Sequence, residues 1–425
     1  MTDSKNSGSV LSNYAERVRA FTPNARFYLL SVLLAGALMG VFRLLFNFFV
    51  LSLGFNEALI GNLITVTNFS ALIVALPMGY LVDIVGHKRS LVARTILLAF
   101  SIAVMAIWPT VAVFYVMNAL FGLAMSLGQV TMGPFMMANS GEEERTYLFS
   151  IGQGLQMSSV FVGNWLGGYL PGWIGLYRNV EATSAPAYAG ALLVIAVVGL
   201  LAVIPLLFLK RQYKAGEEER QGFAPFEYVK NNPRQMLRVF LPLLFVSVGA
   251  GLFVPFMNVF FRVVHNQPDP VIGSLMAWGS LAMGVGLLIA PPLSDRLGKI
   301  RLVLLTQGLS IPFMVLLGFA PWFAISAFAY YVRMGLMNMS NPIYQNFVLE
   351  KVDANSRATV ASLYSMVWSF GRAFSPAISG VWQVQYGFGL PFAVAIVLYA
   401  CAITLYWVFF IRNPQKQPLP AVVGD

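Results

Sequence analysis

The chain of 425 residues is 58% hydrophobic and only 10% charged, against about 25% charged for an ordinary soluble domain. This excludes a water-soluble globular protein and indicates an all-α integral membrane protein. Its net charge of +10 then faces anionic membrane lipid and not nucleic acid.

The first 26 residues are polar, carry Arg17, Arg19 and Arg26, and lack the short apolar core and small-residue cleavage site of a signal peptide. Crossing a bilayer takes about 20 helical residues, and twelve apolar stretches of that order follow. Their expected limits are 27–53, 58–82, 90–109, 110–137, 146–170, 187–209, 237–264, 269–294, 302–320, 322–348, 357–385 and 388–411. They divide into two six-helix bundles, 1–209 with a tail at 1–26 and 237–425 with a tail at 412–425, joined by a charged loop at 210–236.

In span 1, Gly36, Gly40, Arg43 and Asn47 recur at steps of 4, 3 and 4, so they share one helix face. A guanidinium is always charged, and at the centre of a membrane helix it costs about 2.5 to 3.5 kcal/mol even on the lenient insertion scale. Something must offset that cost.

Spans 2 and 3 are joined by "GYLVDIVGHKR", Gly79 to Arg89, and span 5 opens on "GEEERTYLFS", where Glu142 to Glu144 read as a solvated charge run before Arg145. Span 7 repeats the stripe of span 1 as Gly251, Pro255, Asn258 and Arg262. Aligning the two stripes sets Arg43 opposite Asn258 and Asn47 opposite Arg262, in two layers about one helical turn apart. Spans 8 and 9 are joined by "PPLSDRLGKIR", Pro291 to Arg301, whose Asp295 and Gly298 follow Asp83 and Gly86 by 212 residues. The same offset carries Arg145 onto Arg357, and "SSVFVGNWLGG" onto "FGRAFSPAISG". This is an internal repeat.

Span 10 adds Tyr330, Arg333, Met337 and Asn341, and span 11 adds Arg372. No acid is expected in a span interior, since Glu57, Asp83, Asp295, Glu350 and Asp353 fall at ends or in loops. Four arginines without counterions would together cost about 10 to 14 kcal/mol. Water, or water with an anionic ligand, is expected to solvate them, and the planar fork of arginine suits carboxylate or phosphate. The candidate substrate-binding set is Arg43, Asn47, Asn258, Arg262, Arg333, Arg372, Asn341 and Tyr330. The bland alternatives are that Arg262 snorkels to the surface, that Arg372 is structural, and that Arg43 and Arg333 bind helix carbonyls.

Cys401 stands alone, which excludes an intrachain disulfide, and His87 and His265 are the only histidines. A metal site is therefore not expected, nor is any cofactor. Lys and Arg alternate between loops so that both termini fall on the cytosolic side of a multi-pass cell-membrane protein; a monomer is the expected state.

The sequence Gly-x-Leu-x-Asp, followed by glycine and basic residues, resembles the loop motif of the major facilitator superfamily. The first copy supplies Gly79, Leu81, Asp83, Gly86, Lys88 and Arg89, and the second Asp295, Arg296, Gly298, Lys299 and Arg301; the departures are Ile84 and Pro291. The resemblance implies the twelve-helix fold of two pseudo-symmetric bundles and a cytosolic gate built on these loops, with Arg145 and Arg357 grouped with them by the repeat. It also implies that spans 1, 4, 7 and 10 line a central cavity, which would hold Arg43, Arg262 and Arg333. Gly163, Asn164, Gly167 and Gly168 are similar to the family's antiporter motif, although close helix packing explains small residues at these spacings more simply.

The function expected is secondary transport of a small, amphipathic organic anion by alternating access around an arginine-lined cavity, with no enzyme chemistry. The alternative is a proton-coupled multidrug or lipid-like efflux antiporter. Against it, Asn118 in "NALFG" stands where the antiporter motif of span 4 has arginine, and an interior carboxylate to carry the proton is lacking. A membrane-embedded transferase would need an acid, base or metal site that the chain does not offer.

Overall fold

The computed structural model describes residues 19, 21–210, 230, 232–352 and 357–412; the expected tails and the 210–236 loop lie mostly outside them, as does Asp353. Among the described residues there is no strand. The α-helices are α1 Pro23–Ser52, α2 Glu57–Val85, α3 His87–Ile107, α4 Val111–Ala138, α5 Glu142–Arg178, α6 Ala185–Leu201, α7 Val203–Leu207, α8 Pro233–Phe253, α9 Met257–Val263, α10 Asp269–Leu297, α11 Lys299–Phe319, α12 Phe323–Glu350, α13 Arg357–Tyr386 and α14 Gly389–Tyr406. With α6 and α7 taken together, and α8 and α9 together, they stand where the twelve spans were expected.

Nine of these stretches are long and apolar enough to cross a membrane. The other three, α5, α12 and α13, have 37, 28 and 30 residues but carry more polar side chains, including Asn164, Arg333 and Arg372. Helix α5 also overruns its expected end by about eight residues. It stops only at Asn179, which takes the left-handed conformation with φ 53° and ψ 45°, a common helix terminator.

Both motif loops collapse to a single glycine. Gly86 joins α2 to α3 with φ 88° and ψ 151°, and Gly298 joins α10 to α11 with φ 82° and ψ 144°. That backbone region is essentially restricted to glycine, so the internal repeat reappears as matched backbone geometry. Helix α8 breaks at a 3-10 turn, Val254–Phe256, where Pro255 has no N–H to continue the α-helical ladder.

Contacts divide the described residues into two compact units. One runs to Phe49 and resumes at Ile73; the other takes Val50–Leu72 and everything from residue 230 onward. In the first unit α3 packs on α4 and α6, and α1 meets α5 backbone to backbone. A Cβ on Gly40 would sit 2.6 Å from the Val160 carbonyl oxygen and 2.9 Å from the Asn164 nitrogen, and one on Gly163 would collide with the Ala37 carbonyl. The glycine motif of span 5 is thus a packing seam.

The second unit repeats the seam, α8 packing on α13 and α14, with Gly251 seated against Ser375 and Arg372. Ser247 Oγ donates to the Trp368 carbonyl at 2.6 Å. The first part of α2 joins this unit through close backbone approaches at Gly61 and Gly380 and through two side-chain hydrogen bonds. Asn68 Nδ2 donates to the Arg372 carbonyl at 3.1 Å, and Thr65 Oγ1 accepts from the Ala377 N–H, also at 3.1 Å.

Candidate functional site

Helix α1 is enclosed over its second half, because every residue from Leu38 to Val50 is buried except Arg43, which is exposed. A helix with one face in lipid exposes residues every third or fourth position. One exposed residue among the buried neighbours from Leu38 to Val50 instead marks a local opening, and Arg43 occupies it. The flank of that opening is aromatic. Phe42 stacks on Phe46 and Phe121 at ring separations of 4.9 and 4.7 Å, and Phe46 meets Phe114 edge-on at 6.0 Å. Asn47, one turn on, is buried at 4% exposure, and Gly36 and Gly40 face α5. The stripe of span 1 therefore divides, with its glycines serving packing and Arg43 facing the opening.

In the second unit the matched stripe behaves differently. Asn258 is buried and its Oδ1 accepts the N–H of Val259. Arg262 is ion-paired with Asp269, the buried first residue of α10. This corrects the expectation that no acid accompanies the arginines. Asp269 was overlooked because it heads its span, where a carboxylate is favoured by the helix N-terminus and reaches back across the short connection from α9.

Arg333 on α12 is enclosed at 5% exposure. Its guanidinium carbon lies 4.7 Å from the Phe253 ring centroid and 4.8 Å from that of Tyr399, with a terminal nitrogen 3.3 Å from the Met314 sulfur. A desolvated cation–π contact contributes about 2 kcal/mol, so two rings offset an insertion cost of about 2.5 to 3.5 kcal/mol without an anion. The break in α8 ends the helix at Phe253, which forms one side of this sandwich. Tyr330 is buried beneath α10 against Gly279, with its hydroxyl 3.5 Å from the Met276 sulfur. The carbonyl of half-buried Asn341 faces the Tyr364 hydroxyl at 3.5 Å. Arg372 lies over the Trp368 ring at 5.7 Å. The structure thus groups Arg333, Arg372, Tyr330, Asn341, Asn258 and Arg262 in the second unit and Arg43 and Asn47 in the first.

The motif residues divide as well. Lys88 Nζ donates to the carbonyls of Leu207 and Leu209 at 2.6 and 2.7 Å, where a cation favourably caps the C-terminus of α7. Gly79 and Asp83 are half-buried and Arg89 is exposed. In the second copy Asp295, Arg296, Gly298 and Arg301 are all exposed, and Lys299 pairs with Glu350. Arg145 is half-buried, whereas Arg357 is exposed at the start of α13.

Sequence reasoning missed Arg94. It stands seven residues inside α3 and contacts the notch at Gly128 on α4, where an added Cβ would collide with its guanidinium. The signal was an arginine two turns within an apolar run, hidden because span 3 was expected to begin at residue 90.

The Major Facilitator Superfamily model matches residues 28–376 and 246–424. Multidrug resistance protein 2 of Bacillus subtilis (strain 168) is 19% identical over 360 residues, covering 82% of this chain and 86% of that protein. Among solved structures, the nucleoside transporter NupG superposes with a TM-score of 0.74 at 15% identity, covering 90% of this chain and 97% of that one. A bacterial homolog to the human lysosomal transporter Spinster gives 0.75 at 13% identity, covering 91% and 97%. The D-xylose–proton symporter gives 0.70 at 14%, covering 91% and 98%. At these identities the structural likenesses carry the fold alone.

Proposed function

The chain belongs to the Major Facilitator Superfamily, and from that premise we propose that it carries a small organic anion with an apolar part across the cell membrane, meeting it at Arg43. It is a transporter and not an enzyme. The observation that carries the anion reading is the exposure of Arg43 on a helix otherwise buried from Leu38 to Val50. A permanent cation at an opening flanked by Phe42, Phe46 and Phe121 suits a carboxylate or phosphate attached to an apolar body. Arg333, held between two rings, frames the second unit, and Arg262 is occupied by Asp269.

In this reading transport proceeds by alternating access with both termini cytosolic, and the paired glycine turns with Asp83, Lys88, Asp295 and Arg296 belong to the cytosolic gate. Matched backbone conformations at Gly86 and Gly298 support a shared mechanical role.

Reconstituted vesicles offered benzoate, decanoate and phenyl phosphate, with and without pH and voltage gradients, test the proposal. Saturable uptake of one of these anions, persisting when the pH gradient is collapsed, is the expected result. Proton-driven drug efflux is the second reading, favoured by the similarity to Multidrug resistance protein 2. Extrusion of tetraphenylphosphonium that a protonophore abolishes, with none of the anions carried, would replace the first reading with the second.

A further inference from the structure

Arg94 is a half-buried cation that takes no part in the site described above. Helix α3 exposes Ile96, Phe100 and Ile107, whose spacing defines its lipid face. Arg94 lies on the other side, sharing the face of Leu91, Leu98, Ile102 and Met105, all buried. It therefore points into the first unit and not toward lipid headgroups.

Its Nε is fully covered and has no hydrogen-bond partner, while the side chain as a whole keeps part of its surface. Among the described residues no hydrogen bond or ion pair reaches it, and Tyr28 of α1 is the ionisable group close enough to interact with its charge. Two features set it apart from Arg262 and Arg333, since it has neither a carboxylate nor a ring sandwich to offset its cost. Gly128 is what admits the guanidinium between α3 and α4 at all.

Helices α1 and α3 run in the same direction. Arg94 lies about 10 Å along α3 and Arg43 about 30 Å along α1, at 1.5 Å per residue, so the two cations differ in depth by about 20 Å. We propose that Arg94 is a second anion contact in the transport path of the first unit, meeting the substrate nearer the end where α1 and α3 begin, with Gly128 as the residue that positions it. This inference rests on the anion reading above.

The test uses full-length protein in vesicles, with whichever of benzoate, decanoate and phenyl phosphate the wild type carries fastest. The expected result for Arg94→Gln is a KM raised at least tenfold, with apo melting temperature unchanged and with competition by the neutral analogue benzamide unaltered. Arg94→Lys should lie between it and the wild type. Gly128→Ala, which keeps the charge but displaces it, should also raise KM, and should add nothing further in the Arg94→Gln background. If Arg94→Gln does not reach the membrane, Arg94→Lys and Gly128→Ala decide the matter by the same readout. A wild-type protein that carries an anion, with KM unmoved in these variants, overturns this inference alone. A wild-type protein that carries none of the anions overturns the anion reading beneath it.

Discussion

The stripes of α1 and of α8–α9 begin as near copies in sequence and end as opposites in chemistry. Arg43 stands exposed on an unbroken helix that is otherwise buried from Leu38 to Val50. Its counterpart segment breaks at Pro255, sends Phe253 under Arg333, and leaves Arg262 paired with Asp269. The lesson is that a repeat can keep a polar stripe while exchanging which position carries the charge and changing how that charge is solvated. In the second unit two rings accompany Arg333 and a carboxylate accompanies Arg262, whereas in the first Arg43 stands exposed between buried neighbours.

The comparison can be broken most forcefully at Phe253. Phe253→Ala removes a buried ring and half of the sandwich around Arg333, and should cost about 3 to 5 kcal/mol, visible as a large fall in melting temperature. Arg333→Met, which replaces a buried cation by an apolar chain of similar length, should be near neutral in stability. A collapse of Arg333→Met with a stable Phe253→Ala would reverse the roles assigned here.

Asp269→Asn comes next. It leaves Arg262 without its carboxylate and should destabilise by about 3 kcal/mol, with the double variant Arg262→Gln/Asp269→Asn recovering most of the loss. Substrate KM should stay unchanged in the double variant, and a large KM change there would return Arg262 to the binding site.

Arg43→Gln should leave folding intact and raise the KM for the transported anion by roughly 10- to 100-fold, the equivalent of about 1.5 to 3 kcal/mol for charged hydrogen bonds. Arg43→Lys keeps the charge but not the planar fork and should fall between. Transport kinetics at several anion concentrations check both.

The smallest effect concerns pH. His265, in the connection before α10, is ringed by Phe260, Phe261 and Phe323, and burial pushes its imidazole below the ordinary value of 6.5. The unfolded chain then binds the proton more readily, so this contribution is fully present above pH 6.5 and declines as pH falls below it. His265→Phe should flatten the melting-temperature profile on the acid side. An equally steep acid decline in that variant would exclude His265 as its source.

Much of the fold was legible because length and apolarity mark nine of the described helical stretches, and the two motif copies with their matched glycines announced the repeat. The grouping of Val50–Leu72 with the second unit was not, since it involves Thr65 and Asn68 finding backbone partners on α13 and close approaches at Gly61 and Gly380, which no periodicity encodes. At the site, Arg43 was recognisable as a costly charge needing a purpose. That Arg333 has its own aromatic solution was hidden, because Phe253, Met314 and Tyr399 come from three separate helices. Asp269 was visible but set aside because it heads its span, and Arg94 because its span begins three residues earlier than expected.

The central claim is that Arg43 meets an anion, and ligand-induced thermal stabilisation of wild type and Arg43→Gln, measured side by side with phenyl phosphate, benzoate and neutral benzamide, tests it most directly. The account predicts that the anions alone raise the melting temperature of the wild type, and that Arg43→Gln is as stable as wild type without ligand and gains nothing from them. An Arg43→Gln protein that is unstable on its own yet still gains stability from the anions would contradict it.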